Sequence, residues 1–200
     1  MPGAFSFFDG ATKKHLKPSK RVLLIVDFIN PIYFPGAESL LKGAYPAAQA
    51  TVKLKSRLVK TGVPVIYAND NYGIWHSDFK DLLRACQALP GKRGEISQML
   101  SPSEHDLTIL KPLHSAFHGT PLHHLLKEMK AKELVIVGLS TDMCVHLTAM
   151  DAYMRGFKVW VPRDCTAAES EEGKEAALRQ MSHVLKCSVR QSTARLRDYA

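Results

Sequence analysis

The sequence has no closely spaced cysteines. Cys86, Cys144, Cys165 and Cys187 stand far apart in 200 residues, with no CxxC pair. That spacing excludes the usual zinc-ligand patterns and a disulfide-stapled scaffold, and it points to reduced thiols. No uninterrupted apolar run is long enough to cross a bilayer. A charged start followed by a short apolar stretch, the mark of a secretory signal, is also missing. A cytoplasmic protein with no membrane partner is therefore expected. The net charge is +8 and the pI about 9.4. The positive charges are nevertheless spread along the chain, with one local concentration at Lys13, Lys14, Lys17 and Lys20. They are not interleaved with aromatics in the manner of a nucleic-acid module. The expectation is a solvated basic surface and no nucleic-acid partner.

The hydrophobic fraction is 46% and the charged fraction 23%, ordinary for a globular protein that can bury a sizeable core. Residues 1–19 lack a clear period and are expected to form an N-terminal arm, in which Phe5, Phe7 and Phe8 suggest docking on the body or on a neighbouring subunit. Residues 20–200 are expected to form a single domain. Apolar runs at Val22–Val26, Val63–Ala68, Leu107–Leu110, Leu134–Val137 and Phe157–Val161 read as strands, and Cys187–Arg190 as a sixth. Between them lie amphipathic stretches that read as helices: Ala44–Lys60, a segment near Asp78–Ala88, Thr120-Pro121 to about Ala131, Thr141 or Asp142 to Arg155, and Glu171–Leu185. Strands alternating with helices imply βαβ units, and so a mostly parallel sheet with helices on both faces.

Three of these strands lead to residues able to do chemistry. The first reaches Asp27, the third Lys111, and the fourth runs through Gly138 to Cys144. In an open α/β sheet, groups at the C-terminal ends of parallel strands meet on the rim where ligands bind. A thiol at the start of a helix is expected to have a lowered pKa. Unpaired backbone N–H groups in the same turn suit a developing oxyanion. Asp27 suits a general base and Lys111 an electrostatic partner.

These positions and their flanks resemble the isochorismatase-like cysteine hydrolase superfamily. The likeness runs from about Arg21 to Val189. Its strongest stretch is Gly138 to Ala152, a G-x-x-T-x-x-C-V-x-x-T-A-x-D-A pattern followed by Gly156. Lys111, Phe117, Thr120 and Leu122 match a K-x5-F-x2-T-x-L segment, and Val26-Asp27 with Asn30 matches the first motif. The resemblance implies a three-layer αβα sandwich with a six-stranded, mostly parallel sheet. It implies a triad of Asp27, Lys111 and Cys144, and a non-proline cis peptide between Leu139 and Ser140 that turns the N–H groups of Ser140 and Cys144 toward the oxyanion. It also implies a homo-oligomer acting on a small amide through a thioester, with Asp27 serving as base in both halves of the reaction.

Nicotinamidases of this superfamily carry a metal on an Asp and two His, with D-x-H after the second strand. Here that strand leads to Asn69-Asp70-Asn71-Tyr72, and His76 follows at the wrong spacing. No metal and no other cofactor are expected, and nicotinamide is not the favoured substrate. Trp75 and Phe117 are expected to border the substrate. The alternatives are a vinyl ether hydrolase of the isochorismatase type, with Asp27 as acid, and a non-catalytic ligand-binding or redox-sensing homologue. His114 reads as a plain loop residue, Asp142 as a helix cap, and Cys86 and Cys187 as packing residues. Cys165 lies near the rim.

Overall fold

The strands form because their β-branched and leucine side chains are buried on both faces. In a computed structural model, which describes residues 16–76 and 78–195, Val22 to Val26 of β1 (Arg21–Val26) are fully inaccessible to solvent. β2 (Val65–Asp70), β3 (Leu107–Lys111), β4 (Glu133–Leu139) and β5 (Lys158–Trp160) pair with it in the order β3-β2-β1-β4-β5, all parallel. The sixth strand, β6 (Thr166–Ala167), pairs with the end of β4. Most of the expected N-terminal arm, residues 1–15 with its three phenylalanines, lies outside the described residues.

Side chains that alternate along the strands supply two cores. Leu23, Ile25, Val65, Tyr67, Val135 and Val137 pack beneath α1 (Ala37–Val59), α2 (Phe79–Gln87) and α3 (Lys92–Met99). Val22, Leu24, Val26, Ile66, Leu134 and Ile136 face the other way, onto α4 (Leu122–Glu128), α5 (His146–Met154) and α6 (Glu171–His183). At about 1.5–3 kcal/mol for each fully buried aliphatic side chain, this double-sided burial fixes the sheet. The result is the three-layer αβα sandwich with six strands that the resemblance implies. Among the described residues, no helix is long and apolar enough to cross a membrane.

Four of the differences from the sequence reading bear on the sheet and its rim. The segment Cys187–Arg190 is not the sixth strand; it contributes one bridge, from Ser188 to Trp160 of β5, and the sixth strand is Thr166–Ala167, beside Gly138 and Leu139 of β4. β2 runs two residues further than its apolar run, because Asn69 and Asp70 pair with Leu110 and Lys111. α1 starts at Ala37 rather than Ala44 and carries Pro46 inside it; burial of Ala37, Leu40 and Leu41 against the sheet outweighs the missing N–H. The segment after β4 opens with one π-helical turn, Thr141–Val145, in which the Val145 N–H donates to the Ser140 carbonyl at 3.1 Å, and only then becomes α5.

Gly138 links the sheet to that turn. It pairs with Val26, has φ 145°, and a Cβ placed there would lie 2.0 Å from the Val26 carbonyl oxygen. Gly138→Ala is expected to cost about 2–5 kcal/mol through the disallowed backbone and the overpacked sheet. Urea unfolding checks this, and a midpoint equal to that of the parent protein contradicts it.

Candidate active site

Parallel strands end on one side of the sheet, so the residues that follow β1, β2, β3 and β4 share a rim. Asp27 is the first residue beyond β1, turned out of the strand at φ 51°. Asp70 and Lys111 are the last residues of β2 and β3 and are register partners. Cys144 lies in the π turn after β4. β3 is separated from β1 by β2, so Lys111 meets Asp27 only by crossing the end of β2. Its long stem makes that crossing, and its ammonium stands 2.8 Å from Asp27 Oδ2 and 3.5 Å from Asp70 Oδ2. Nζ also donates to the Leu113 carbonyl at 3.3 Å and contacts Cys144 Sγ at 3.7 Å. The second carboxylate oxygen of Asp27 accepts the Asp70 backbone N–H at 2.7 Å. The structure thus brings together all three residues of the expected triad.

The electrostatics follow from burial. Lys111 is 0% exposed and Asp27 4%. A buried charge persists only where it is paired and hydrogen-bonded. Burial alone lowers the Lys111 pKa, but Asp27, the Cys144 sulfur and Asp70 outweigh it and hold the ammonium above its ordinary value. Burial pushes Asp27 above the usual carboxylate range, against the pull of Lys111 and of hydrogen bonds from Lys111, Cys144 and the Asp70 N–H. The Cys144 thiol is pushed up to about 12, first by burial and then by the negative charge of Asp27, with Lys111 compensating only in part. This corrects the expectation of a lowered thiol pKa: desolvation and the neighbouring carboxylate push the thiol the other way. The arrangement is a neutral thiol beside a carboxylate of raised basicity, with an ammonium at hand.

The rim opens into a cavity of about 360 Å³ lined in part by Asp27, Asn30, Phe34, His114, Ser140 and Cys144. The Leu139–Ser140 peptide is cis, as the resemblance implies, and both of its residues line the cavity. Asp70, Tyr72, Met143, Asp142 and Glu169 line it as well. His114, read from sequence as a plain loop residue, has Nδ1 3.7 Å from Cys144 Sγ. Its only sequence signal is its place three residues after Lys111.

The two expected substrate contacts are not brought to the cavity. Trp75 is 76% exposed on the loop after β2 and is not part of the lining. Phe117 is buried among α4, α5 and α6, its ring 6.2 Å from that of Phe157 and 4.8 Å from the Arg155 guanidinium. Its apolar surface is spent on the core. Asp142 does not cap its own helix; its carboxylate faces Gly173 in the first turn of α6. Cys165, one residue before β6 at the rim end of β4, is fully buried in the core beneath α1 and is not part of the cavity lining.

The metal set of the nicotinamidases does not fit these residues. Asp70 spends one oxygen on Lys111 and the other on the Tyr72 backbone N–H, at 2.7 Å. Tyr72 stands where the nearby histidine ligand belongs, and His76 is outside the lining. Among the described residues, no three His, Cys, Asp or Glu side chains converge as metal ligands.

A raised thiol pKa has a direct consequence. Below its pKa, the thiolate fraction rises about tenfold per pH unit. Alkylation of Cys144 by iodoacetamide, followed by peptide mass, is expected to rise without a plateau from about pH 7 to about pH 10. A plateau below about pH 9 contradicts the burial argument.

The isochorismatase domain model matches residues 21–194. An uncharacterized isochorismatase family protein of Bacillus subtilis, YaaI, is 37% identical over 170 residues, covering 85% of this chain and 93% of that protein. Maleamate amidohydrolase of Pseudomonas putida is 26% identical, covering 80% of this chain and 78% of the enzyme. The crystal structure of the nicotinamidase SaPncA from Staphylococcus aureus superposes with a TM-score of 0.68 at 26% identity, covering 86% of this chain and 98% of that one.

Proposed function

The chain belongs to the isochorismatase family of hydrolases, and from that membership we propose that it is an amidohydrolase that cleaves the C–N bond of a small amide through a thioester on Cys144. The observation that carries this reading is the fully buried Lys111 ammonium in simultaneous contact with Asp27 and the Cys144 sulfur. Amide-cleaving relatives such as the maleamate amidohydrolase support it, as does a cavity of a size suited to a small molecule.

The reaction starts from a neutral thiol. Asp27, made a stronger base by burial, takes the thiol proton as the sulfur attacks the amide carbonyl. The developing oxyanion is held by the backbone N–H groups of Ser140 and Cys144, with the positive charge of Lys111 nearby. Proton transfer from Asp27 to the nitrogen lets ammonia or an amine leave, and the acyl group remains on the sulfur. Water then adds to the thioester, releasing the carboxylic acid and restoring the thiol. Lys111 stays protonated throughout. Its role is to offset the charge of Asp27 before the attack and that of the sulfur and oxyanion during it.

A panel of small amides, with isochorismate alongside, tests the reading. Wild-type protein is expected to release ammonia from at least one amide. Cys144→Ala and Asp27→Asn are each expected to lower kcat by about 10³-fold or more, with the circular dichroism of Cys144→Ala unchanged. Ammonia release that persists in Cys144→Ala contradicts the thioester route. Pyruvate release from isochorismate that survives the same substitution moves the assignment to vinyl ether hydrolysis.

A further inference from the structure

Cys144 Sγ has two nitrogen neighbours at the same distance. Lys111 Nζ, at 3.7 Å, belongs to the buried side of the site. His114 Nδ1, also at 3.7 Å, belongs to an exposed side chain that lines the cavity. The loop that carries His114 is pinned on both flanks. Before it, the Leu113 carbonyl accepts from Lys111 Nζ. After it, the Ser115 hydroxyl donates to Asp151, and the Ala116 N–H donates to Thr148 Oγ1 at 3.0 Å. Both acceptors lie on α5. An imidazole held against the sulfur by a loop anchored in this way is a built feature of the site.

The hydrolytic half of the reaction needs a base where water arrives. Asp27 is nearly inaccessible, with one oxygen on Lys111 and the other on the Asp70 N–H. His114, by contrast, is exposed, lines the same cavity and carries its Nδ1 3.7 Å from the sulfur. The other titratable groups that line the cavity are the carboxylates of Asp70, Asp142 and Glu169 and the Tyr72 phenol. An imidazole, with one ring nitrogen that accepts a proton and another that donates, is the group among these built to take a proton from water and return it.

Resting on the amidohydrolase reading, we propose that His114 is the catalytic base of the second half-reaction, activating the water that resolves the Cys144 thioester. A water oxygen attacks the thioester carbonyl carbon as His114 takes its proton. The tetrahedral intermediate collapses with cleavage of the C–S bond, and the imidazolium returns the proton to the departing sulfur. The products are the carboxylic acid, a restored thiol and a neutral imidazole. Asp27 thus serves the first half-reaction and His114 the second, in place of the expected use of Asp27 in both.

His114→Gln and His114→Ala separate the halves, and an exposed loop side chain is not needed for folding. With a turned-over amide, rapid quench is expected to show the first-turnover burst of ammonia preserved within about threefold. Steady-state turnover falls about 10²-fold, the range for loss of a general base. Intact mass shows an acyl adduct on Cys144 that wild-type protein does not accumulate. Added imidazole partly rescues His114→Ala. Unchanged turnover in both variants overturns the proposal, as does a burst that falls in step with turnover without an adduct. Wild-type protein silent on every amide overturns the amidohydrolase reading and this proposal with it, an outcome distinct from active enzyme with indifferent His114 variants.

Discussion

The constraint on which this molecule depends is that an ammonium and a carboxylate, both withdrawn from water, must find each other across an intervening strand. Lys111 and Asp27 lie at the ends of β3 and β1, with β2 between them. Each ion forfeits about several kcal/mol of hydration. That cost is offset only because the geometry leaves no donor idle: the ammonium meets Asp27, Asp70, the Leu113 carbonyl and the Cys144 sulfur. The pair therefore dictates much of its surroundings. It requires β2 to end level with β3, the chain after Lys111 to curl back, and Asp27 to turn out of its strand.

The rest of the fold serves that placement. Double-sided burial of β1 and β4 fixes their register to one residue, because a slip would turn every side chain to the wrong face. Gly138 lets β4 approach Val26 closely where any Cβ would collide. The π turn that follows adds one residue to the first turn of the helix and delivers Cys144 beside the ion pair. The desolvation that makes the pair costly also keeps the thiol neutral and raises the basicity of the carboxylate. Burial is the largest influence on the ionisation of this sulfur.

Much of this was legible in the amino-acid sequence, for identifiable reasons. Strands buried on both faces appear as continuous apolar runs, so β1 and β4 and the residues at their ends stood out, and with them Asp27 and Cys144. Lys111 stood out because it closes a short apolar run at a proline. The polar ends of β2 were illegible, because Asn69 and Asp70 join the sheet through pairing with β3 rather than through hydrophobicity. The short β6 was hidden for the same reason: two residues, Thr166 and Ala167, carry no period. Trp75 and Phe117 were misplaced because aromatic character does not say whether a ring faces a cavity, a core or solvent. His114 is illegible in the sequence because its meaning lies in a loop fold set by the Lys111 ammonium, which no local pattern encodes.

The ionisation state of Lys111 is the most direct test of this account. Its Nζ can be followed by nitrogen NMR in protein labelled with ¹⁵N-lysine, with Asp27→Asn as the perturbed comparison. The account predicts an ammonium signal at neutral pH that persists beyond the ordinary lysine value near about 10.4 and whose pKa falls when Asp27 loses its charge. A neutral Lys111 amine at pH 7, or a pKa indifferent to Asp27, would contradict it.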